Sequence, residues 1–235
     1  MFSKRSNAYA QLHKDFERIE ELYSLADWFK LNFPIWESLR FSVYIKAREK
    51  SGLNDEIIAK NKSFQLDLIH KRLYFLFKSF FGIAQAKPTT HIVIGVPRRR
   101  LIDHYWSDQH TSFLRNILPR NTIFLEEPIN HIHYEPQGKE RSVYLDFIEL
   151  LSSFLSVISA PFLELNQLDL DKLEALKPLT EFLTAKVFRR LVYKNFYQYH
   201  LYRFFFKYRL KPNIAFLVPA YGREAIVLSL KSIGV

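Results

Sequence analysis

The sequence contains no cysteine, little glycine and no uninterrupted apolar run of membrane-spanning length. Without cysteine the 235-residue chain cannot form disulfides, thiolate zinc sites or cysteine nucleophiles. The chain has only 6 glycines, and this scarcity disfavours propellers, β-helices and other turn-dense all-β repeats. Lys78 interrupts the apolar run at residues 73–84, and two carboxylates with Pro161 interrupt the run at 144–165, so we expect no transmembrane helix. The amino terminus lacks the apolar core of a secretory signal, which predicts a cytoplasmic protein.

What is present is a large supply of core-forming side chains and an excess of positive charge. Hydrophobic residues make up 48% of the chain, with 22 Phe and 13 Tyr, which is ample for packed cores and excludes general disorder. The 34 Lys and Arg outnumber the 24 Asp and Glu, giving a formal net charge of +10. This balance favours anionic partners.

The first 86 residues are predicted to be a helical region that packs on a sheet. Apolar residues recur at steps of three and four within residues 8–30, as in an amphipathic helix. After Pro34, a second helix is predicted over residues 35–49, with Gly52 available as a left-handed cap. A third helix is predicted over residues 63–81.

From residue 87 to residue 235 the pattern changes to alternating strands and helices. Runs rich in β-branched residues, typical of buried parallel strands, occupy residues 91–97 and 213–219. Further strands are predicted at residues 121–125 and 141–145, with helices at 113–117, 146–158, 171–208 (broken near Pro178) and 223–231. This alternation predicts an α/β fold with a Rossmann-like parallel sheet. Because the last helix is not followed by a returning strand, the fold looks incomplete at its carboxyl end.

Polar residues follow the two most apolar strands, where open α/β sheets bind ligands. Arg98, Arg99 and Arg100 follow the first strand, and a loop with Gly222 precedes the last helix. Guanidinium groups match phosphate geometry and a helix amino terminus presents free backbone donors, so a phosphate-bearing ligand is the functional interpretation. The alternative is a solvated rim of arginines with carboxylate partners.

A basic aromatic segment at residues 186–211 carries eight basic and no acidic side chains. At helical spacing it forms an apolar stripe beside a basic one, which suits an anionic membrane surface. The alternative is a core-facing stripe with a solvated basic face. Nucleic acid is not expected as a partner, because no nucleic-acid fold signature is present. The candidate anion-binding residues of the segment are Arg189, Arg190, Lys194, Arg203 and Lys207.

Other motifs carry less information. The sequence contains neither a glycine-rich phosphate-binding motif nor the G-x-S-x-G motif of serine nucleophiles. We expect no metal and no cofactor. His131 and His133 have no third ligand nearby in sequence. Asp169 and Asp171 resemble a cation-binding pair, but they lie where a helix start is predicted, which favours a capping role.

Three groups of residues, taken in order and spacing, resemble a known protein family. They are IWESLRF at residues 35–41, VPRRR with DHYWSD at 96–108, and KPNIAFLV, YGREA and KSIG between 211 and 234. Together they are similar to bacterial capsule or surface-carbohydrate biosynthesis proteins that look like GT-B glycosyltransferases. The resemblance covers most of the chain and implies its amino-terminal, acceptor-side half, with the nucleotide-sugar-binding half and a Gln-His-Gly motif beyond residue 235.

The resemblance also implies a site, partners and a location. Aromatic faces would stack on sugars and arginines would hold phosphates. The implied donor is a nucleotide-activated sugar or polyol phosphate, bound mainly by the other half, and the acceptor is a glycan or lipid-linked glycan at the inner face of the bacterial inner membrane. His104 and Glu224 are local candidates for the general base. The remaining predicted substrate-binding residues are Trp36, Arg40, Arg98, Arg99, Tyr105, Trp106, Tyr221, Gly222 and Arg223.

Two function classes therefore remain open from the sequence. The first is the acceptor-side domain of a glycosyltransferase-like enzyme. The second is a non-catalytic module that binds an anionic membrane or polymer through residues 186–211.

Overall fold

The structure, a computed structural model, describes residues 2–53, 67–94, 99–102, 105–108, 114–127, 141–218 and 223–235. These residues form a mixed α/β fold that is mostly helical and contains a four-stranded parallel sheet. The chain groups into two compact units, Met1–Lys62 with Phe154–Phe196 and Ser63–Ser153 with Tyr197–Val235. The sequence predicts a single boundary at residue 86, whereas each compact unit combines two separate stretches of chain.

From residue 87 onwards the strands of the parallel sheet alternate with helices as predicted, whereas the first helix ends at Leu22 rather than near residue 30. The helices are α1 (Phe2–Leu22), α2 (Ile35–Lys50), α3 (Asp67–Gln85), α4 (Leu114–Ile117), α5 (Asp146–Ser159), α6 (Gln167–Leu176), α7 (Ala185–Phe204) and α8 (Glu224–Lys231). The strands are β1 (Phe29–Lys30), β2 (Phe33–Pro34), β3 (His91–Ile94), β4 (Arg99–Ile102), β5 (Tyr105–Asp108), β6 (Ile123–Glu126), β7 (Arg141–Tyr144) and β8 (Ile214–Leu217). A π-helical segment, Phe205–Leu210, extends α7.

Local sequence signals account for several of these boundaries. Helix α2 begins directly after Pro34, and Gly52 follows its end with a left-handed φ of +67°, as predicted. Asn166 and Asp169 form a capping box at the start of α6, so the capping interpretation of Asp169 is confirmed. The predicted helix at 171–208 is two helices, because the chain leaves helical geometry between residues 177 and 184 around Pro178.

The first unit packs helices around aromatic side chains. Trp28 is buried and stacks on Phe188, with ring centroids 4.8 Å apart. The indole Nε1 of Trp28 donates to Asp169, and the Lys30 ammonium pairs with the same carboxylate at 2.7 Å. These contacts connect the hairpin of β1 and β2 with α6 and α7.

The second unit contains the parallel sheet, in the order β7-β6-β3-β8. Ile92 of β3 pairs with Ile123 of β6 on one side and with Ala215 of β8 on the other. The core of the unit forms around this sheet and includes Ile92, Ile94, Leu125, Val143, Tyr202, Phe205, Phe206, Leu210, Ile226 and Leu230. The predicted parallel sheet is confirmed.

Helix α3 packs beside strand β7. A Cβ at Gly82 would lie 3.7 Å from Val143, an ordinary van der Waals distance, so this contact would also admit an alanine. The buried hydroxyl of Ser79 donates to the carbonyl of Tyr144 and accepts from the amide of Phe147 at 3.0 Å. Ser79 therefore satisfies a free amide in the first turn of α5.

Within the described ranges, none of the helices is both long enough and apolar enough to cross a membrane.

Candidate functional site

The carboxyl edge of the sheet contains a reversal of strand order. From β3 the chain adds β6 and then β7 on one side, and later adds β8 on the other side of β3. In open α/β sheets a crevice forms at such a switch point, outside the carboxyl ends of the two strands. Here the switch point lies between β3 and β8, the two strands that precede the predicted phosphate-binding loops.

Several predicted site residues come shortly after the two strands that form this switch point. Arg98 follows β3, and Tyr221 and Gly222 follow β8, but these three lie outside the described residues. His104 also lies outside them. Glu224 begins helix α8 and is half-buried.

The predicted loop after β3 includes a β-hairpin. Strand β4 pairs antiparallel with β5, so that Arg99 lies opposite Asp108 and Leu101 opposite Trp106. The hairpin register also places Ile102 opposite Tyr105, with two residues between them. Aromatic and branched residues on both strands favour this pairing, and the two-residue spacing is typical of tight hairpins. These two strands were not predicted from the sequence.

Arg223 lies at the switch point and links the ends of three strands. Its guanidinium forms an ion pair with the Glu127 carboxylate, next to the end of β6. Its Nη1 donates to the carbonyl of Val218 beyond β8 at 3.0 Å and to that of Ile94 in β3 at 3.4 Å. Only 8% of Arg223 is exposed. Arg223, which the sequence analysis predicted to bind phosphate, is thus a buried residue that holds the strand ends at this edge of the sheet.

Glu127 is the carboxyl that the sequence interpretation missed. Burial raises the pKa of the Glu127 carboxyl, with smaller contributions from Glu149 and Glu126, while Arg223 opposes the shift. A carboxyl whose pKa is raised binds a proton more tightly than a free carboxyl, which makes its ionised form a stronger base. The rule applied to the other strand ends would have found Glu127, because it is the second residue after the predicted strand at 121–125.

A second polar group surrounds Glu149 in α5. Its two carboxylate oxygens accept from Tyr202 Oη at 2.9 Å and from Gln198 Nε2 at 2.7 Å. Burial raises the pKa of Tyr202 well above its ordinary value, and the neighbouring Glu149 adds to the shift. No motif marks these residues, since they come from helices that lie about fifty positions apart.

No family model matches this chain, and neither a curated protein nor a solved structure is similar to it. The capsule-family resemblance therefore stays a prediction, and the site is interpreted from its geometry.

Two further predicted residues, Trp36 and Arg40, lie in the first unit and line a cavity of about 660 Å³. The buried Trp36 indole donates to Glu20 at 2.7 Å, and the Arg40 guanidinium binds both oxygens of the same carboxylate. Glu21, Asp27 and Glu37 also line the cavity. Its carboxylates outnumber its arginine, so its charge is the opposite of that expected for a phosphate site.

The basic aromatic segment divides into buried and exposed parts. Its apolar stripe lies in cores, with Phe188, Val192 and Phe206 fully buried. Of the predicted anion-binding residues, Arg190 and Lys207 are exposed, while Arg189, Lys194 and Arg203 are half-buried. The core interpretation of the stripe is confirmed.

In the part of the chain that the structure describes, no three carboxylates or histidines are grouped closely enough to hold a metal ion. His131 and His133 lie outside the described residues.

Proposed function

We propose that this chain is the acceptor-side domain of a GT-B-like glycosyltransferase acting in capsule or surface-polysaccharide biosynthesis. The observation that carries the proposal is the strand order β7-β6-β3-β8. Numbered by appearance along the chain, this is the order 3-2-1-4 with which a Rossmann-like sheet begins. Such a sheet binds its ligand at the switch point, which here adjoins the residues of the capsule-family resemblance.

The chemistry of this edge fits a phosphate-bearing glycan. Arg98 and Arg99 follow β3, and both would bind phosphate bidentately. Tyr105, Trp106 and Tyr221 supply aromatic faces for sugars. In this arrangement Arg223 positions the strand ends rather than the ligand, because Glu127 and two carbonyls already hold its guanidinium.

The proposed reaction is a direct displacement. An acceptor hydroxyl attacks the anomeric carbon or the phosphorus of an activated donor, the bond to the nucleotide phosphate breaks, and a base takes the hydroxyl proton. Glu127 is our first candidate for this base, because it lies at the sheet edge and burial raises the pKa of its carboxyl. Glu224 and His104 remain the alternatives from the sequence. The donor is a nucleotide-activated sugar or polyol phosphate, held mainly by a partner domain.

The test measures the binding of a synthetic glycerol-phosphate oligosaccharide to the chain by isothermal titration calorimetry. We expect the Arg98→Gln/Arg99→Gln double variant to bind at least about tenfold more weakly, because each charge-assisted hydrogen bond contributes on the order of 1.5–3 kcal/mol. Arg120→Gln is the matched control, since Arg120 is exposed and precedes β6, at the opposite edge of the sheet. Equal binding by the double variant and the wild type would refute the site.

The alternative is a non-catalytic module that binds an anionic polymer through residues 186–211. The exposure of Arg190 and Lys207 favours it. The double variant Arg190→Gln/Lys207→Gln separates the two functions, because it removes exposed charge from the segment and leaves the sheet edge intact. If this variant alone loses glycan binding, the polymer-binding function replaces the transferase proposal.

A further inference from the structure

Helix α3 carries a stripe of large apolar side chains on its outer side. Phe77 is 61% exposed and Phe81 is 54% exposed. Leu73, Tyr74 and Phe80 are exposed as well. At 100° per residue these five positions span an arc of about 120°, while the buried Phe75 and Ser79 lie on the opposite side. One side of α3 therefore packs in the core and the other presents aromatic rings to the surroundings.

The stripe extends onto α5 within the same unit. The ring of Phe80 contacts that of Phe147, with centroids 5.1 Å apart. Leu150, one turn further along α5, is 53% exposed. We call the six exposed residues Leu73, Tyr74, Phe77, Phe80, Phe81 and Leu150 the α3 face. Contiguous exposed apolar surface of this kind marks an interaction site.

The charge along the chain that carries the α3 face is mainly positive. Residues 68–102 contain seven Lys and Arg and no Asp or Glu, whereas Asp67 begins α3 and Asp146 lies one turn before Leu150 in α5. At the border of the stripe, the Lys78 ammonium lies 5.3 Å from the ring centroid of Tyr74 and 5.2 Å from that of Tyr144. Glu149, the carboxylate nearest Leu150 in sequence, bonds to Gln198 and Tyr202 instead.

We propose that the α3 face docks on an anionic lipid bilayer, with its aromatic rings in the interfacial region and its basic border at the headgroups. Interfacial helices combine Phe, Leu and Lys in this way, and positive charge complements anionic lipid. A second copy of the chain fits less well, because a symmetric contact would bring two basic borders together. This inference is independent of the proposed transferase function, and it assigns membrane contact to α3 rather than to the largely buried stripe of α7.

The test is flotation of the full chain with vesicles of phosphatidylcholine, either alone or with about one third phosphatidylglycerol. We expect salt-sensitive binding to the anionic vesicles only. Phe77→Gln/Phe81→Gln should weaken this binding about tenfold or more, because two apolar rings no longer leave water. Phe29→Gln is the matched control, since Phe29 is 56% exposed and lies in β1, outside the α3 face.

A second measurement reports how deeply the α3 face enters the bilayer, and it does not depend on the affinity of the chain for the vesicles. Tryptophan introduced by Phe77→Trp should be quenched by brominated lipid tails, whereas Phe29→Trp should not. The proposal is overturned if the wild type ignores anionic vesicles, or if the Phe77→Gln/Phe81→Gln variant binds them like the wild type. It is also overturned if sedimentation shows a dimer that the same double variant abolishes, because the α3 face would then join two copies.

Discussion

At the scale of single residues, buried polar contacts decide the geometry of both units. In the second unit, Arg223 and Glu127 join strand ends that are 96 positions apart in sequence. In the first unit, Asp169 accepts from the Trp28 indole, the Lys30 ammonium and the Asn166 amide. A buried charge that loses one partner remains in a poorly hydrated place, so these groups are sensitive to substitution.

Arg223→Met should destabilise the protein by about 3–5 kcal/mol at neutral pH, because the Glu127 carboxylate loses its buried cation. Burial already raises the pKa of Glu127, and removal of Arg223 raises it further. Because the folded state binds this proton more tightly than the unfolded chain does, the penalty should shrink as the pH falls from 7.5 to 4.5, the ordinary glutamate pKa. Urea unfolding of variant and wild type at both pH values measures this change.

The double variant Arg223→Met/Glu127→Gln is the control for that prediction, because it leaves no buried carboxylate without a cation. It should be more stable than Arg223→Met at pH 7.5. A penalty that is the same at both pH values and unaffected by Glu127→Gln would contradict the buried ion pair.

Asp169→Asn should cost about 2–4 kcal/mol at neutral pH, because hydrogen bonds to a charged, buried acceptor are lost. Although burial alone would raise the pKa of Asp169, the hydrogen bonds from Lys30, Trp28 and Asn166 lower it below its ordinary value. Its contribution is therefore present above the ordinary aspartate pKa and is lost as the pH falls through the lowered one. Urea unfolding at pH 7 and pH 3 should show the wild type and Asp169→Asn converging in acid.

Asp171→Asn is the matched control for Asp169, since Asp171 is exposed in the same helix and accepts from Gln167. We expect it to change stability by less than about 0.5 kcal/mol. Equal effects of the two substitutions would show that neither the burial of Asp169 nor its ion pair with Lys30 contributes to the free energy of unfolding.

Among the elements, a buried hydroxyl links helix α3 to the sheet. Ser79 bonds to both the end of β7 and the start of α5. One face of α3 is thereby committed to the core, which leaves the aromatic α3 face outward. The same positioning that orders the helix also creates the surface proposed to meet lipid.

Ser79→Ala should destabilise the second unit by about 1–3 kcal/mol, because the Tyr144 carbonyl and the Phe147 amide lose their shared partner. Hydrogen exchange at Phe147 should accelerate more than at amides in the middle of α5. Ser232→Ala serves as the control, since Ser232 is exposed and its hydroxyl bonds only locally to Ser229. An unchanged exchange rate at Phe147 would exclude this cross-helix cap.

At the scale of the whole molecule, the chain builds each compact unit from two separate stretches. The second unit needs residues 197–235 for its core, which includes Tyr202, Phe206 and Ile226. The first unit is contained within residues 1–196 and keeps the contacts of Trp28 with Asp169 and Phe188.

A chain shortened to residues 1–196 should therefore retain the first unit and lose the second. The indole N–H resonances of Trp28 and Trp36, which donate to Asp169 and Glu20, should keep their full-length positions in a ¹H–¹⁵N spectrum. The urea-unfolded full chain provides the reference for lost structure. Collapse of both indole signals onto that reference would show that the first unit does not fold without the second.

Local sequence patterns were enough to predict most of the helices and the strands of the parallel sheet. Pro34 and Gly52 located α2 to within a residue, and β-branched runs located β3 and β8. These are local signals, because spacing of a few residues specifies backbone geometry and which face is apolar. The same signals predicted the parallel sheet, since strands separated by helices cannot pair as hairpins.

The strand order, the hairpin of β4 with β5, the partners of Arg223 and the outward side of α3 depend instead on long-range contacts. Strand order depends on which buried faces meet after long connections, and no short pattern records that choice. Arg223 is a case in point, because its sequence context indicates an anion site and only folding brings Glu127 to it. Likewise, α3 is apolar on both sides, and only the packed structure shows that the side with Phe75 and Ser79 is the buried one.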